Sequence, residues 1–73
     1  MTDELRPAGL FRDLAADPAT KAAILIDCEL AVDDFAAKHG QTIRQHYAAC
    51  GYNMDFEEGY QSAMRLWRYL RET

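Results

Sequence analysis

Hydrophobic residues recur along most of this chain at spacings of three and four residues, the pattern of amphipathic helices. A first short helix is predicted over about 8–16, where Leu10, Phe11 and Leu14 fall on one side. Residues 1–7 precede any such pattern, and we expect them to form a flexible N-terminal arm in front of a single helical domain over 8–73.

The dipeptide Asp17-Pro18 predicts the start of a second, long helix. Aspartate accepts the free N–H groups of a first turn, and proline is tolerated at the first helical position. We expect this helix to run to His39, with Gly40 as the left-handed residue that ends it. The residues predicted on its core face are Ile24, Leu25, Cys28, Ala31, Val32 and Phe35.

Two further helices are predicted before the C-terminus. Thr42 and Gln45 fit a capping box that opens a short helix closed by Gly51, and Asp55 and Glu58 fit a second capping box. A last, strongly amphipathic helix is predicted over about 56–71. Its apolar face consists of Phe56, Tyr60, Ala63, Trp67 and Leu70, with Met64 beside them.

Gly59 interrupts this last helix at a cost of about 1 kcal/mol relative to alanine, which predicts close approach of a neighbouring element. Short connections between the helices favour a compact bundle. The predicted fold class is therefore all-α, a bundle of about four helices, two short and two long.

The composition favours a role in binding. A domain of 73 residues buries only about 60% of the surface of its unfolded chain, so association with a partner would add useful stability. The chain is acidic, with 12 Asp and Glu residues and 8 Lys and Arg residues. Because phosphate binding relies on Lys and Arg, direct binding of nucleic acid is disfavoured.

A DNA-binding helix-turn-helix remains an alternative interpretation of the last two predicted helices. In that arrangement the start of the last helix would enter the major groove. The residues there are Asp55, Glu57 and Glu58, which would face the phosphates.

Few residues could support chemistry. His46 and Cys50 lie four positions apart on one predicted helix face, and together with Cys28 they leave a metal or thiol sensor as an alternative. A structural zinc site needs four ligands, so no metal or cofactor is predicted. No phosphate loop or nucleophile motif occurs, and we expect no enzymatic activity.

The N-terminus and the two cysteines indicate where in the cell the chain is expected. No apolar leader or membrane-length apolar run is evident, so a cytoplasmic location is expected. A reducing compartment would leave the thiols of Cys28 and Cys50 free.

Two surfaces are candidates for contact with a partner. Arg65, Arg68 and Tyr69 lie near one another on the outer side of the last helix, and Tyr and Arg are enriched in interface hot spots. Ile26 and Leu30 form an apolar spot among acidic residues, which either the first helix covers or a partner contacts.

Part of the chain resembles the nitrogen-fixation-associated leader-peptide family. The similar stretches are Leu10-Phe11-Arg12-Asp13-Leu14-Ala15-Ala16-Asp17-Pro18-Ala19, Phe35-Ala36-Ala37-Lys38-His39-Gly40 and Gly51-Tyr52-Asn53-Met54-Asp55-Phe56-Glu57-Glu58. Members of that family are small helical proteins or precursor leaders that modifying enzymes recognise. The resemblance thus implies a binding role.

We therefore predict a small, acidic, non-enzymatic module that binds another protein. It would act as an accessory subunit, regulator or inhibitor of a larger enzyme or assembly. An inhibitor of a nucleic-acid-handling complex, similar in composition to anti-CRISPR proteins, is one form of this prediction. Self-association into a homo-oligomer is a further alternative.

Overall fold

The computed structural model describes residues 7–72, and within them it contains four α-helices and no strand. The helices are α1 (Pro7–Leu14), α2 (Pro18–Asp27), α3 (Val32–Ala49) and α4 (Phe56–Glu72). The predicted all-α bundle of two short and two long helices is confirmed. Residues 1–6 of the predicted arm lie outside the described residues, and Pro7 is the first residue of α1.

The helix ends that carry capping side chains lie where the sequence predicts them. Oδ2 of Asp17 accepts the backbone N–H of Thr20 at 3.0 Å and its hydroxyl at 2.7 Å. Before α4, Oδ1 of Asp55 accepts the N–H of Glu58 at 2.8 Å, and Oε1 of Glu58 accepts the N–H of Asp55 at 3.2 Å. This is the reciprocal bonding of a capping box. Gly51, which was predicted to end a helix, follows α3 with a left-handed φ of +90.

The predicted long helix from Asp17 to His39 is wrong, because the chain leaves the helix between α2 and α3. In this connection the carbonyl of Leu30 accepts the indole N–H of Trp67 at 2.7 Å, and the carbonyl of Cys28 accepts from Arg71 at 3.3 Å. A side chain of α4 thus satisfies a backbone acceptor that an unbroken helix would satisfy internally. Asp33 then lies in the first turn of α3, where its negative charge interacts favourably with the helix dipole.

The predicted helix end at Gly40 is also wrong, and so is the predicted capping box of Thr42 and Gln45. All three residues lie inside α3, so the predicted third helix is the second half of a helix that begins at Val32. Gly40 is in the interior because α4 passes over it. The positive φ expected for Gly40 occurs only at Gly51 among the described residues.

Gly40 and Gly59 form the crossing point of α3 and α4. A Cβ placed on Gly40 would lie 3.4 Å from the carbonyl carbon and oxygen of Gly59. A Cβ placed on Gly59 would lie 2.6 Å from Cγ of Arg44 and 3.0 Å from the carbonyl oxygen of Gly40. The two backbones are therefore in direct contact, and the close approach predicted from Gly59 is confirmed.

Small residues continue this contact along α4. Its buried residues are Gly59, Ser62, Ala63 and Leu66, which lie on one face of the helix. The predicted apolar face is rotated from this position, since Phe56 is 61% exposed. Phe56 instead lies beneath the guanidinium of Arg44, whose Cζ is 5.0 Å from the ring centroid.

The core lies around this helix pair, and α1 and α2 cover it. Its buried hydrophobic residues are Leu10, Leu14, Ile24, Phe35, Ala36, Ile43, Tyr47, Met54, Ala63 and Leu66. Of these, α2 supplies only Ile24. Leu25, predicted on the core face, is 43% exposed, so α2 is the helix with the least packing to hold it.

The crossing predicts unequal effects of alanine at its two glycines. Gly59→Ala forces a methyl group against Arg44 and the Gly40 carbonyl, and we expect it to lower the free energy of unfolding by about 1–2 kcal/mol. Gly40→Ala places its methyl at ordinary contact distance and gains helix propensity, so its stability should stay equal or rise by up to about 1 kcal/mol. Urea unfolding of both variants measures this difference. Equal destabilisation by the two substitutions would contradict the described crossing.

Candidate functional site

Arg65, Arg68 and Tyr69 come together on the outer side of α4. With Pro7 and Glu72 they line an open pocket of about 270 Å³. The spacing of three and four residues places the three side chains on one helix face, as the sequence predicts. The contribution of Pro7, from the first turn of α1, could not be predicted from the sequence, because it depends on how α1 packs against α4.

Arg65 and Arg68 share this pocket with the carboxylate of Glu72. Nη2 of Arg65 donates to the hydroxyl of buried Ser62 at 3.3 Å. Neither Arg65 nor Arg68 forms an ion pair with a carboxylate among residues 7–72. Tyr69 is half-buried and packs against the core, so its ring is fixed in the wall of the pocket. The surface offers two guanidinium groups beside a fixed aromatic ring.

The second predicted contact pair is divided between solvent and core. Ile26 is 71% exposed on α2, and its neighbour Leu25 is also exposed. Leu30 is half-buried, packs against the core and follows the end of α2, so it is not on the same helix face as Ile26. The exposed apolar spot therefore consists of Leu25 and Ile26.

A partly buried polar cluster joins the end of α2 to α3, and sequence reasoning missed it. Oδ2 of Asp27 lies 2.7 Å from Nζ of Lys38 and 2.9 Å from Nε2 of His39. The hydrogen bond from Lys38 lowers the pKa of the Asp27 carboxyl, burial opposes this, and the bond with His39 adds to the lowering. His39 was expected near a helix end, but it is only 4% exposed and stacks at 4.5 Å on the ring of Phe35.

Two neighbouring pockets that share Thr20 and Thr42 lie between α2 and α3, and together we call them the groove. Its narrow part has a volume of about 220 Å³ and is lined by Ala19, Thr20, Ala23, His39 and Thr42. Its wide part, about 510 Å³, shares Thr20 and Thr42 and is further lined by Asp13, Leu14, Ala16, Asp17, Gln45 and His46. The groove brings both histidines of the chain to one side of α2.

The residues considered for metal or thiol chemistry are dispersed. His46 is half-buried in the groove, Cys50 is exposed at the end of α3, and Sγ of Cys28 donates to the carbonyl of Leu25 at 2.9 Å. Both thiols are free. Over the described part of the chain, no group of three His, Cys, Asp or Glu side chains is placed to hold a metal ion.

The acidic residues before and within the first turn of α4 form part of its structure. Asp55 and Glu58 cap the helix, and Glu58 also accepts the hydroxyl of Tyr52 at 3.0 Å. Glu57 accepts the side-chain amide of Gln61 at 3.0 Å. A helix-turn-helix reading would put these carboxylates against phosphates.

Comparison with protein-family models, curated proteins and solved structures finds no match to this chain. Among residues 7–72 no helix is both long enough and apolar enough to span a bilayer.

The Asp27 cluster predicts a stability difference that depends on pH. Because folding lowers the pKa of Asp27, its stabilisation is fully present above the unfolded pKa of about 4 and is lost as pH falls through the folded pKa. Asp27→Asn removes this charge at every pH. The gap in unfolding free energy between wild type and Asp27→Asn should therefore be fully present above about pH 5 and should narrow as the pH falls below about 4.

Urea unfolding across this pH range measures the gap, with Asp13→Asn as the control at an exposed carboxylate. A gap for Asp27→Asn that stays constant through the acid range would show that the charge of Asp27 contributes nothing.

Proposed function

We propose that this chain is a small, non-enzymatic module that binds another protein through the outer face of α4. It would act as an accessory subunit, regulator or inhibitor of a larger enzyme or assembly. The observation that carries the proposal is the pocket of Arg65, Arg68 and Tyr69, where two arginines that form no ion pair within residues 7–72 lie beside a half-buried aromatic ring.

The physical character of this pocket supports a protein partner. Tyrosine and arginine are the residues most often found at binding hot spots, where they combine a large contact area with directed hydrogen bonds. A pocket of about 270 Å³ on a helix can receive one anchoring side chain. Arg65 and Arg68 add charge complementarity to a carboxylate beside that anchor.

The chain as a whole carries a net charge of −4, whereas this pocket carries two arginines and one carboxylate, Glu72, and so has the opposite sign. The same net charge disfavours direct contact with nucleic acid, and an inhibitor of a nucleic-acid-handling complex would act on the protein component. A cytoplasmic location, where the thiols of Cys28 and Cys50 stay reduced, belongs to the proposal.

The exposed Leu25 and Ile26 favour a second, smaller contact. They add an apolar spot on α2, away from the arginine pocket, through which a partner or a second copy of the chain could extend an interface. The resemblance to leader peptides that modifying enzymes recognise is in accord with binding through helix surfaces.

The proposal predicts which substitutions weaken the complex. With the chain used as bait in extracts of its native host, Arg65→Glu and Tyr69→Ala should each reduce partner affinity by about 30-fold, the effect of losing a hot-spot residue. Helicity should be retained, because Arg65 is exposed and Tyr69, which packs against the core, is only half-buried. Titration of the co-purified partner and circular dichroism measure the two quantities.

Matched controls are available at exposed positions elsewhere. Arg12→Glu makes the same charge change on α1, and Tyr52→Ala removes the same ring from the α3–α4 turn. Both controls should retain the partner. The proposal fails if Arg65→Glu and Tyr69→Ala bind as tightly as the wild type, or if no protein is retained by a monomeric chain.

A further inference from the structure

His39 carries a buried polar atom that the fold leaves without a partner. Its side chain is 4% exposed, and Nδ1 forms no hydrogen bond to any described residue. A buried acceptor left unpaired costs about 1–3 kcal/mol, so such an atom calls for an explanation.

The chemistry of Nδ1 follows from the other ring nitrogen. Nε2 lies 2.9 Å from the carboxylate of Asp27, which can only accept, so Nε2 carries the proton. In the neutral imidazole Nδ1 is then an acceptor that requires an N–H or O–H donor. Because the two nitrogens lie on opposite edges of the ring, Nδ1 is directed away from Asp27, which ends α2. His39 lines the narrow part of the groove together with Ala23 and Thr20, which lie earlier on the same helix as Asp27.

The wide end of the groove also carries hydrogen-bond acceptors, and these are charged. Its rim carries the carboxylates of Asp13 and Asp17, and Oδ2 of Asp17 is already fixed by its bonds to Thr20. These bonds lower the pKa of Asp17, so the carboxylate stays charged at neutral pH. A cation is the group that this end would attract.

The distance between the two ends restricts the size of a ligand. Asp17 and Ala23 are six residues apart, which is about 9 Å along the axis of α2. Methyl groups of Ala19, Ala23 and the two threonines form the walls between them. The space suits a flat or narrow apolar group.

We propose that this groove, lined at its ends by His39 and by Asp13 and Asp17, binds a small organic cation with a compact apolar body. A neutral O–H or N–H donor at one end of the ligand bonds Nδ1 of His39, and an ammonium group at the other end lies near Asp17. The site is separate from the arginine pocket on α4 and shares no residue with it.

The ligand reaches Nδ1 only when α2 moves slightly away from α3, because the atom is covered in the unbound chain. The structure favours such a movement, since α2 has one buried side chain, Ile24, and one polar link to α3, through Asp27. A ligand that binds the conformation with the open groove shifts the population of the chain towards that conformation.

Tyramine is the probe that matches these requirements, and phenethylamine differs from it only by lacking the hydroxyl donor. Titration of the wild-type chain followed by amide NMR should shift the resonances of Ala19, Ala23, His39 and Thr42. Tyramine should bind about tenfold more tightly than phenethylamine, the value of one hydrogen bond to a buried acceptor. His39→Phe, checked for folding by circular dichroism, should abolish that difference.

Asp17→Asn tests the charged end without loss of the helix cap, because asparagine caps as well as aspartate. It should weaken tyramine binding while leaving the preference over phenethylamine unchanged. The proposal is overturned if millimolar tyramine moves no groove resonance, or if the two amines bind the wild type equally. It is also overturned if an acetylated, amidated Lys-Tyr-Lys peptide binds the groove and tyramine does not.

Discussion

The contact between the backbones of α3 and α4 at Gly40 and Gly59 is the constraint on which the other packing depends. At Gly59 an added methyl group would collide with Arg44 and with the carbonyl of Gly40, so this approach requires a residue without a side chain there. The buried face of α4 continues from Gly59 through Ser62, Ala63 and Leu66. The same approach places Trp67 and Arg71 against the α2–α3 connection, where both donate to backbone carbonyls. The end of α2 and the start of α3 are thus fixed by the position of α4.

This arrangement packs α3 and α4 more firmly than α2. The pair of long helices holds most of the buried surface, and α4 presents its arginine pocket from a rigid support. By contrast α2 rests on Ile24 and on the link from Asp27 to Lys38 and His39. Because α4 is firmly packed, a partner that binds its surface loses little conformational entropy of this chain. Because α2 is loosely packed, the groove beside it can open. The two proposed sites follow from this difference in packing.

Local signals predicted the features that local chemistry determines. Side-chain caps identified the starts of α2 and α4, and the spacing of Arg65, Arg68 and Tyr69 correctly placed them at one surface. The break before α3 has no capping side chain, since Ala31 precedes the helix, and it depends on Trp67, which is 37 residues from Leu30. The missed signal was the acidic pair in the first turn of α3, which is typical of a helix start. His39 was missed because its partner Asp27 had been placed in the same helix.

Native-state hydrogen exchange tests the central claim, that a tight α3–α4 pair carries a lightly held α2. Amides of α3 and α4 near Gly40 and Gly59 should exchange only when the whole chain unfolds. Amides in the middle of α2 should exchange faster, through a local opening that requires less free energy than global unfolding. Protection of α2 equal to that of α3 and α4 would contradict the account.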